Sequence, residues 1–175
     1  MRLQTLLKAT SLAVVFATSA LADGAALFLV IENYVSLSDV RRGDEIANLT
    51  TRFERLGFDV QSLADGNADE MNAALGLFED AASRSERLIV VLAGRFVHTS
   101  QDTYFLPTEA RTSNLTEVSR DAVALSQVLP ILERTPGQAI LGLATDSQAG
   151  AFSPYLANGL GDFDIPQGVT VVTGA

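Results

Sequence analysis

The chain has 175 residues, no cysteine, one histidine and a formal net charge of −9 at pH 7. That length suits one domain with its own apolar core. The composition excludes disulfides, thiolate chemistry, Cys-based metal sites and a multi-His zinc site within one chain, and the negative charge argues against nucleic acid and anionic membrane surfaces as partners.

Residues 1–22 read as a secretory signal. Arg2 and Lys8 supply the positive start, Ser11 to Ala17 the short apolar stretch, and Ala20-Leu21-Ala22 the small-x-small cleavage site. The stretch is too short and too interrupted by Ser and Thr for a membrane span. The expectation is an exported protein, periplasmic or secreted, with a domain over 23–175 and no integral span after cleavage. Removing the signal takes away two cations and no acid, and every remaining cation is arginine.

Ala26 to Ile31 is a continuous apolar run, as in a strand buried on both faces. Gly43 to Leu56 places Ile46, Leu49, Phe53 and Leu56 at helical spacing, with Gly57 as the stop. Phe58 to Leu63 alternates as a second strand. Asn67 to Ala82 is a second helix, with Asn67 and Glu70 forming a capping-box pair. Leu88 to Ala93 is rich in β-formers and predicts a central strand. Tyr104 to Pro107 is a short extended piece. Ala122 to Arg134 predicts a third helix bent by Pro130. Gln138 to Leu143 and Val169 to Thr173 are the fourth and fifth strands. Between them, Asp146 to Gly168 is a Gly/Pro/Ser-rich loop with a short helical piece at Tyr155 to Asn158. The order implies an α/β fold: a mostly parallel sheet in a three-layer αβα sandwich. A strand directly before Ala175 reads as a sheet truncated after its fifth strand, or completed by another chain or a homodimer.

No phosphate loop, dinucleotide fingerprint or nucleophile elbow is present. Asp65-Gly66-Asn67-Ala68-Asp69 has the look of a calcium loop but lacks glycine at the sixth position and an acid at the twelfth, which is Gly76; a capped helix start is the simpler reading. No cofactor and no metal is expected.

A longer constellation is more informative. The first strand ends Leu29-Val30-Ile31-Glu32-Asn33-Tyr34. Asp44-Glu45-Ile46 opens a helix that closes in Leu56-Gly57-Phe58-Asp59-Val60. Met71, Ala74-Leu75 and Phe78 mark the next helix. Val90-Val91-Leu92-Ala93-Gly94-Arg95-Phe96 then precedes Tyr104-Phe105-Leu106-Pro107, and Ile140-Leu141-Gly142-Leu143 leads into Ala144-Thr145-Asp146. In order and spacing this resembles the caspase-like cysteine peptidases, in particular their bacterial metacaspase and orthocaspase branch, over roughly residues 26 to 173.

The resemblance implies a caspase-like sandwich and a Cys-His dyad, and this chain departs from the family at both dyad positions. Arg95 stands where the family has histidine, with Phe96 in place of the following glycine, and Asp146 stands where it has cysteine. A guanidinium cannot act as general base, and a carboxylate is a weak nucleophile towards amides. The expected consequence is a degenerate member without cysteine-peptidase chemistry, serving as a peptide- or protein-binding or regulatory module. The rival is a hydrolase with substituted groups, His98 acting as base for Ser147 or Thr145. Two further readings concern binding. Arg95 and Asp146 would occupy adjacent strand ends and could pair as a salt bridge. Glu45, with Asp44 beside it, matches the family's acidic position for a basic substrate side chain, so a basic peptide is the expected partner; the simpler reading is a pair of acids complementing a helix dipole.

Overall fold

The computed structural model describes residues 24–40, 43–112, 114–145 and 153–174, and of residues 43–47 the backbone alone. The elements in chain order are β1 (Gly24–Val30), α1 (Gly43–Arg55), β2 (Phe58–Ala64), α2 (Ala68–Ala82), β3 (Leu88–Gly94), β4 (Phe96–His98), β5 (Thr103–Phe105), α3 (Leu115–Asp121), β6 (Val123–Ala124), α4 (Leu125–Leu132), β7 (Ala139–Thr145), β8 (Ala157–Asn158) and β9 (Val169–Gly174).

β1, β2, β3, β7 and β9 form one wholly parallel sheet in the order β2-β1-β3-β7-β9. β1 is buried along its whole length, as its unbroken apolar run requires. Its alternate residues feed two cores. Ala25, Leu27, Leu29 and Ile31 join Met71 and Phe78 of α2 and Val128 and Leu132 of α4 on one face. Ala26, Phe28 and Val30 face the other way, against Leu49 and Phe53 of α1. There Phe53 bridges Phe28 and Phe58, with ring centroids 5.7 and 5.2 Å apart. Helices therefore lie on both faces, as the alternating sequence order predicts. The chain leaves β1 towards β2 on one side and builds β3, β7 and β9 on the other, so the strand order reverses between β1 and β3. Open parallel sheets bind ligands at the carboxyl ends beside such a reversal.

α2 starts as its sequence prescribes: Asn67 accepts from the Glu70 N–H at 3.0 Å, and Glu70 accepts from the Asn67 N–H at 2.9 Å. Three expectations need correction. The third helix does not begin at Ala122: Leu115–Asp121 is a separate helix capped by Asn114, Val123–Ala124 is a strand, and only Leu125–Leu132 continues as helix, running through Pro130. Tyr155 to Asn158 is not helical; Ala157–Asn158 pairs with Val97–His98 as strand β8. Third, the chain carries a second, antiparallel sheet in the order β6-β5-β4-β8, of which only the Tyr104 to Pro107 piece is visible in the sequence pattern. This small sheet starts one residue beyond the end of β3. It is fastened to α4 through Asp102, whose carboxylate accepts the Ser126 hydroxyl at 2.5 Å and the Ser126 N–H at 3.3 Å at that helix's first turn.

Candidate functional site

The register of the parallel sheet sets Gly94, the last residue of β3, beside Thr145, the last residue of β7. Arg95 therefore leaves the sheet next to the strand that leads to Asp146. Arg95 is buried, with 6% of its surface exposed. Its N–H donates to the Tyr34 hydroxyl at 2.7 Å, and its guanidinium turns towards the segment after β1. There Nε donates to the Ser38 carbonyl and Nη2 to the Ser38 hydroxyl, both at 2.7 Å, and the guanidinium carbon stands 5.7 Å from the centre of the Tyr34 ring. Tyr34 is itself buried, and its N–H donates to Asp39 at 3.1 Å. Burial pushes the Tyr34 phenol above its ordinary range, more than the Arg95 N–H and charge lower it.

This clasp needs Gly94. A Cβ there would lie 2.7 Å from the Tyr34 hydroxyl and 2.8 Å from the Ile31 carbonyl. The sequence reading of Arg95 as the residue standing at the strand end is thus given a geometry: its side chain is not turned to solvent but ties β3 to the β1 loop. Tyr34 and Ser38, the other two members, carry no sequence signal as site residues. Tyr34 lies in the strand-end motif Glu32-Asn33-Tyr34, but nothing in the spacing couples it to Arg95 sixty-one positions later.

A second clasp holds the neighbouring strand ends. Asp65, just past β2, accepts the Glu32 and Asn33 N–H groups on Oδ1 at 2.8 and 2.9 Å, and the Asn33 side chain on Oδ2 at 2.5 Å. It adopts a left-handed φ of 49°, a conformation in which Asp is among the tolerated residues. Partial burial opposes ionisation of Asp65, but these three donors outweigh it and hold its carboxyl below the usual carboxylate range. A depressed folded-state pKa stabilises the fold above the ordinary carboxylate range, and that contribution is lost as pH falls through the folded value. We expect acid titration of thermal stability to show this loss below about pH 4, and the acid-dependent step to shrink in Asp65→Asn.

The other sequence candidates are placed as follows. His98 is half-buried at the end of β4, and its Nδ1 lies 3.1 Å from the Gly159 carbonyl. The hydroxyl of Thr145 is buried and has no hydrogen-bond partner among the described residues, so no such bond joins it to His98. Asp146, Ser147 and the signal segment lie outside the described residues, as do the side chains of Asp44 and Glu45. The backbone of Asp44 and Glu45 lies in the first turn of α1. Among the described residues no group of three or more His, Asp or Glu could hold a metal ion, and no helix is long and apolar enough to cross a membrane.

A family model of the caspase domain matches residues 23–149, and the chain belongs to that family. No curated protein matches it. Among solved structures it is similar to the Drosophila initiator caspase Dronc, at 16% identity and a TM-score of 0.45, over 73% of this chain and 49% of that one. The chain thus spans about half the length of that structure.

Proposed function

We propose that this caspase-domain protein is a pseudopeptidase, a module that binds a peptide or protein partner, or regulates one, without cysteine-peptidase chemistry. The observation that carries this reading is the state of Arg95. In place of a base that takes up and returns a proton, the position holds a cation whose Nε and Nη2 donate to the Ser38 carbonyl and hydroxyl. The nucleophile is missing independently, since the chain has no cysteine. Loss of both members of a dyad removes most of such an enzyme's acceleration. The clasp stands where the strand order reverses, at the carboxyl end of the sheet, so the natural ligand position is occupied by structure that shapes a surface. The partner we propose is a basic peptide met by Asp44 and Glu45, and the setting is an export compartment reached by way of residues 1–22.

The test has two readouts. The full chain, incubated with a library of fluorogenic Arg- and Lys-terminated peptides, is expected to show no hydrolysis above the no-protein rate. Turnover abolished by His98→Ala or Ser147→Ala would replace this reading with that of a hydrolase. In the second, a fluorescein-labelled Arg-rich nonapeptide is titrated against the chain and its Asp44→Asn/Glu45→Gln variant. Binding is expected to weaken about fivefold, as for a pair of partly exposed ionic contacts; identical affinities would discard the acidic recognition site.

A further inference from the structure

The small antiparallel sheet carries a cleft of mixed polar and apolar lining that the caspase-type reading does not use. Two hollows of 560 and 590 Å³ adjoin beside β4 and share Thr99, Ser100 and Tyr155 as walls. Each is of the size that accepts a small ligand. His98, Pro154, Leu156 and Asp162 add to the first hollow, and Gln101, Tyr104, Leu115 and Ser119 to the second. Tyr155 stands between them with 73% of its surface exposed.

The cleft is held rigidly from both sides. The β4–β5 turn is closed by the Thr99 N–H donating to the Asp102 carbonyl at 2.9 Å, and by the Gln101 and Asp102 N–H groups donating to the Thr99 hydroxyl, both at 3.1 Å. The opposite wall is tied down where the Gly159 N–H donates to Phe96 at 2.9 Å and the Thr103 hydroxyl to the Leu160 carbonyl. Gly161, at a φ of 62°, lets that wall lie against the His98 ring, where a Cβ would fall 2.5 Å from ring carbons. A carbonyl only accepts, so the Gly159 contact assigns a proton to Nδ1 of the ring.

We propose that this double cleft binds a short, linear, neutral saccharide, with Tyr155 as its stacking platform. Among the described residues no Lys or Arg lines either hollow, which disfavours anionic ligands. The one carboxylate among the described lining residues, Asp162, is exposed, and such a group adds little to the binding of a cation. The lining sets hydroxyls, an amide and a carboxylate beside Pro154, Leu156 and Leu115, so a wholly apolar ligand would leave those polar groups without partners. A polyol satisfies them: sugar hydroxyls donate to Asp162, the Gln101 amide donates to ring and hydroxyl oxygens, and the flat C–H face of a sugar covers the amphipathic Tyr155 ring. Two hollows on either side of one tyrosine fit at least two sugar rings in line.

The full chain is titrated with maltotriose, cellotriose and triacetylchitotriose, and binding is read by calorimetry and by tyrosine fluorescence. The chain has three tyrosines and no tryptophan, and two of the three line this cleft. Saturable binding of at least one trisaccharide is expected. Tyr155→Ala should weaken it about tenfold and Tyr155→Phe less than about threefold, both with unchanged melting temperature. The proposal is overturned if none of the three trisaccharides saturates, if Tyr155→Ala binds as the parent does, or if trilysine binds more tightly than every trisaccharide. It stands apart from the pseudopeptidase reading, because Tyr155→Ala touches neither Arg95 nor Asp44 and Glu45.

Discussion

Arg95→Ala is expected to lower the stability of the chain by about 2–4 kcal/mol and to raise hydrogen exchange in residues 31–40 well above the rest of the sheet. The change removes two hydrogen bonds from a charged donor to Ser38, each of the stronger kind. It also removes the guanidinium that covers the Tyr34 ring and leaves a void where a buried side chain was. Arg95→Lys should fall between parent and alanine, since an ammonium cannot reproduce the fork that reaches both Ser38 atoms. Arg95→His is the informative variant. It places an imidazole at the end of β3, yet it is expected to lose nearly as much stability as alanine and to gain no cysteine-peptidase activity, because the chain has no thiolate to pair with it. Urea denaturation of the three variants, with amide exchange of the β1 loop, checks all of this. Full stability in Arg95→His would mean that the guanidinium contacts carry no structural weight.

The two clasps make one arrangement. Tyr34 and Asn33 follow β1, Asp65 follows β2, and Arg95 follows β3, so three adjacent parallel strands have their carboxyl ends joined by side-chain-to-backbone bonds. In an open α/β sheet this rim is where loops diverge to make room for a ligand. Here the loop after β1 is drawn back onto the sheet by Ser38 and Asp39 instead. Arg95 is held by one bond to the Ser38 carbonyl and one to the Ser38 hydroxyl, and a guanidinium, which only donates, cannot serve as a general base. The geometry therefore makes Arg95 a structural tie between the end of β3 and the loop after β1.

How much of this was legible in the sequence depends on length and period. β1 and β3 read plainly because seven apolar residues in a row have one favourable placement, between two layers of helix. The start of α2 was legible to the residue, because a capping box is a local device. β4, β6 and β8 were not, being two or three residues long with no room for a period to show. Val123 and Ala124 fit the helical pattern that follows them, but pairing with Tyr104 and Phe105 draws them into the small sheet. Tyr155 to Asn158 failed likewise: its strand identity comes from Val97 and His98, far off in sequence. Of the site, the identity of Arg95 was readable from motif order. The direction of its side chain was not, because that is decided by a serine hydroxyl fifty-seven positions away.

Gly94→Ala is expected to destabilise the chain by about 3 kcal/mol, an effect much larger than its single added methyl suggests. The new Cβ would lie 2.7 Å from the Tyr34 hydroxyl, 2.8 Å from the Ile31 carbonyl and 3.1 Å from the Phe105 ring. The ring can give by a few tenths of an ångström, but the carbonyl belongs to the backbone, which is fixed here by the bond from the Ile31 N–H to Ala93 at 2.8 Å. The hydroxyl cannot retreat without releasing the Arg95 N–H. Tyr34→Phe separates these obstacles. Alone it leaves that buried N–H without an acceptor and should be destabilising by about 1–3 kcal/mol. In its background the alanine methyl gains the space of the missing oxygen, so the two substitutions should be less than additive by about 1 kcal/mol. A double-mutant cycle followed by chemical denaturation measures that coupling. Strict additivity would locate the obstruction at the Ile31 carbonyl alone, and would show that Tyr34 holds Arg95 without depending on the glycine beside it.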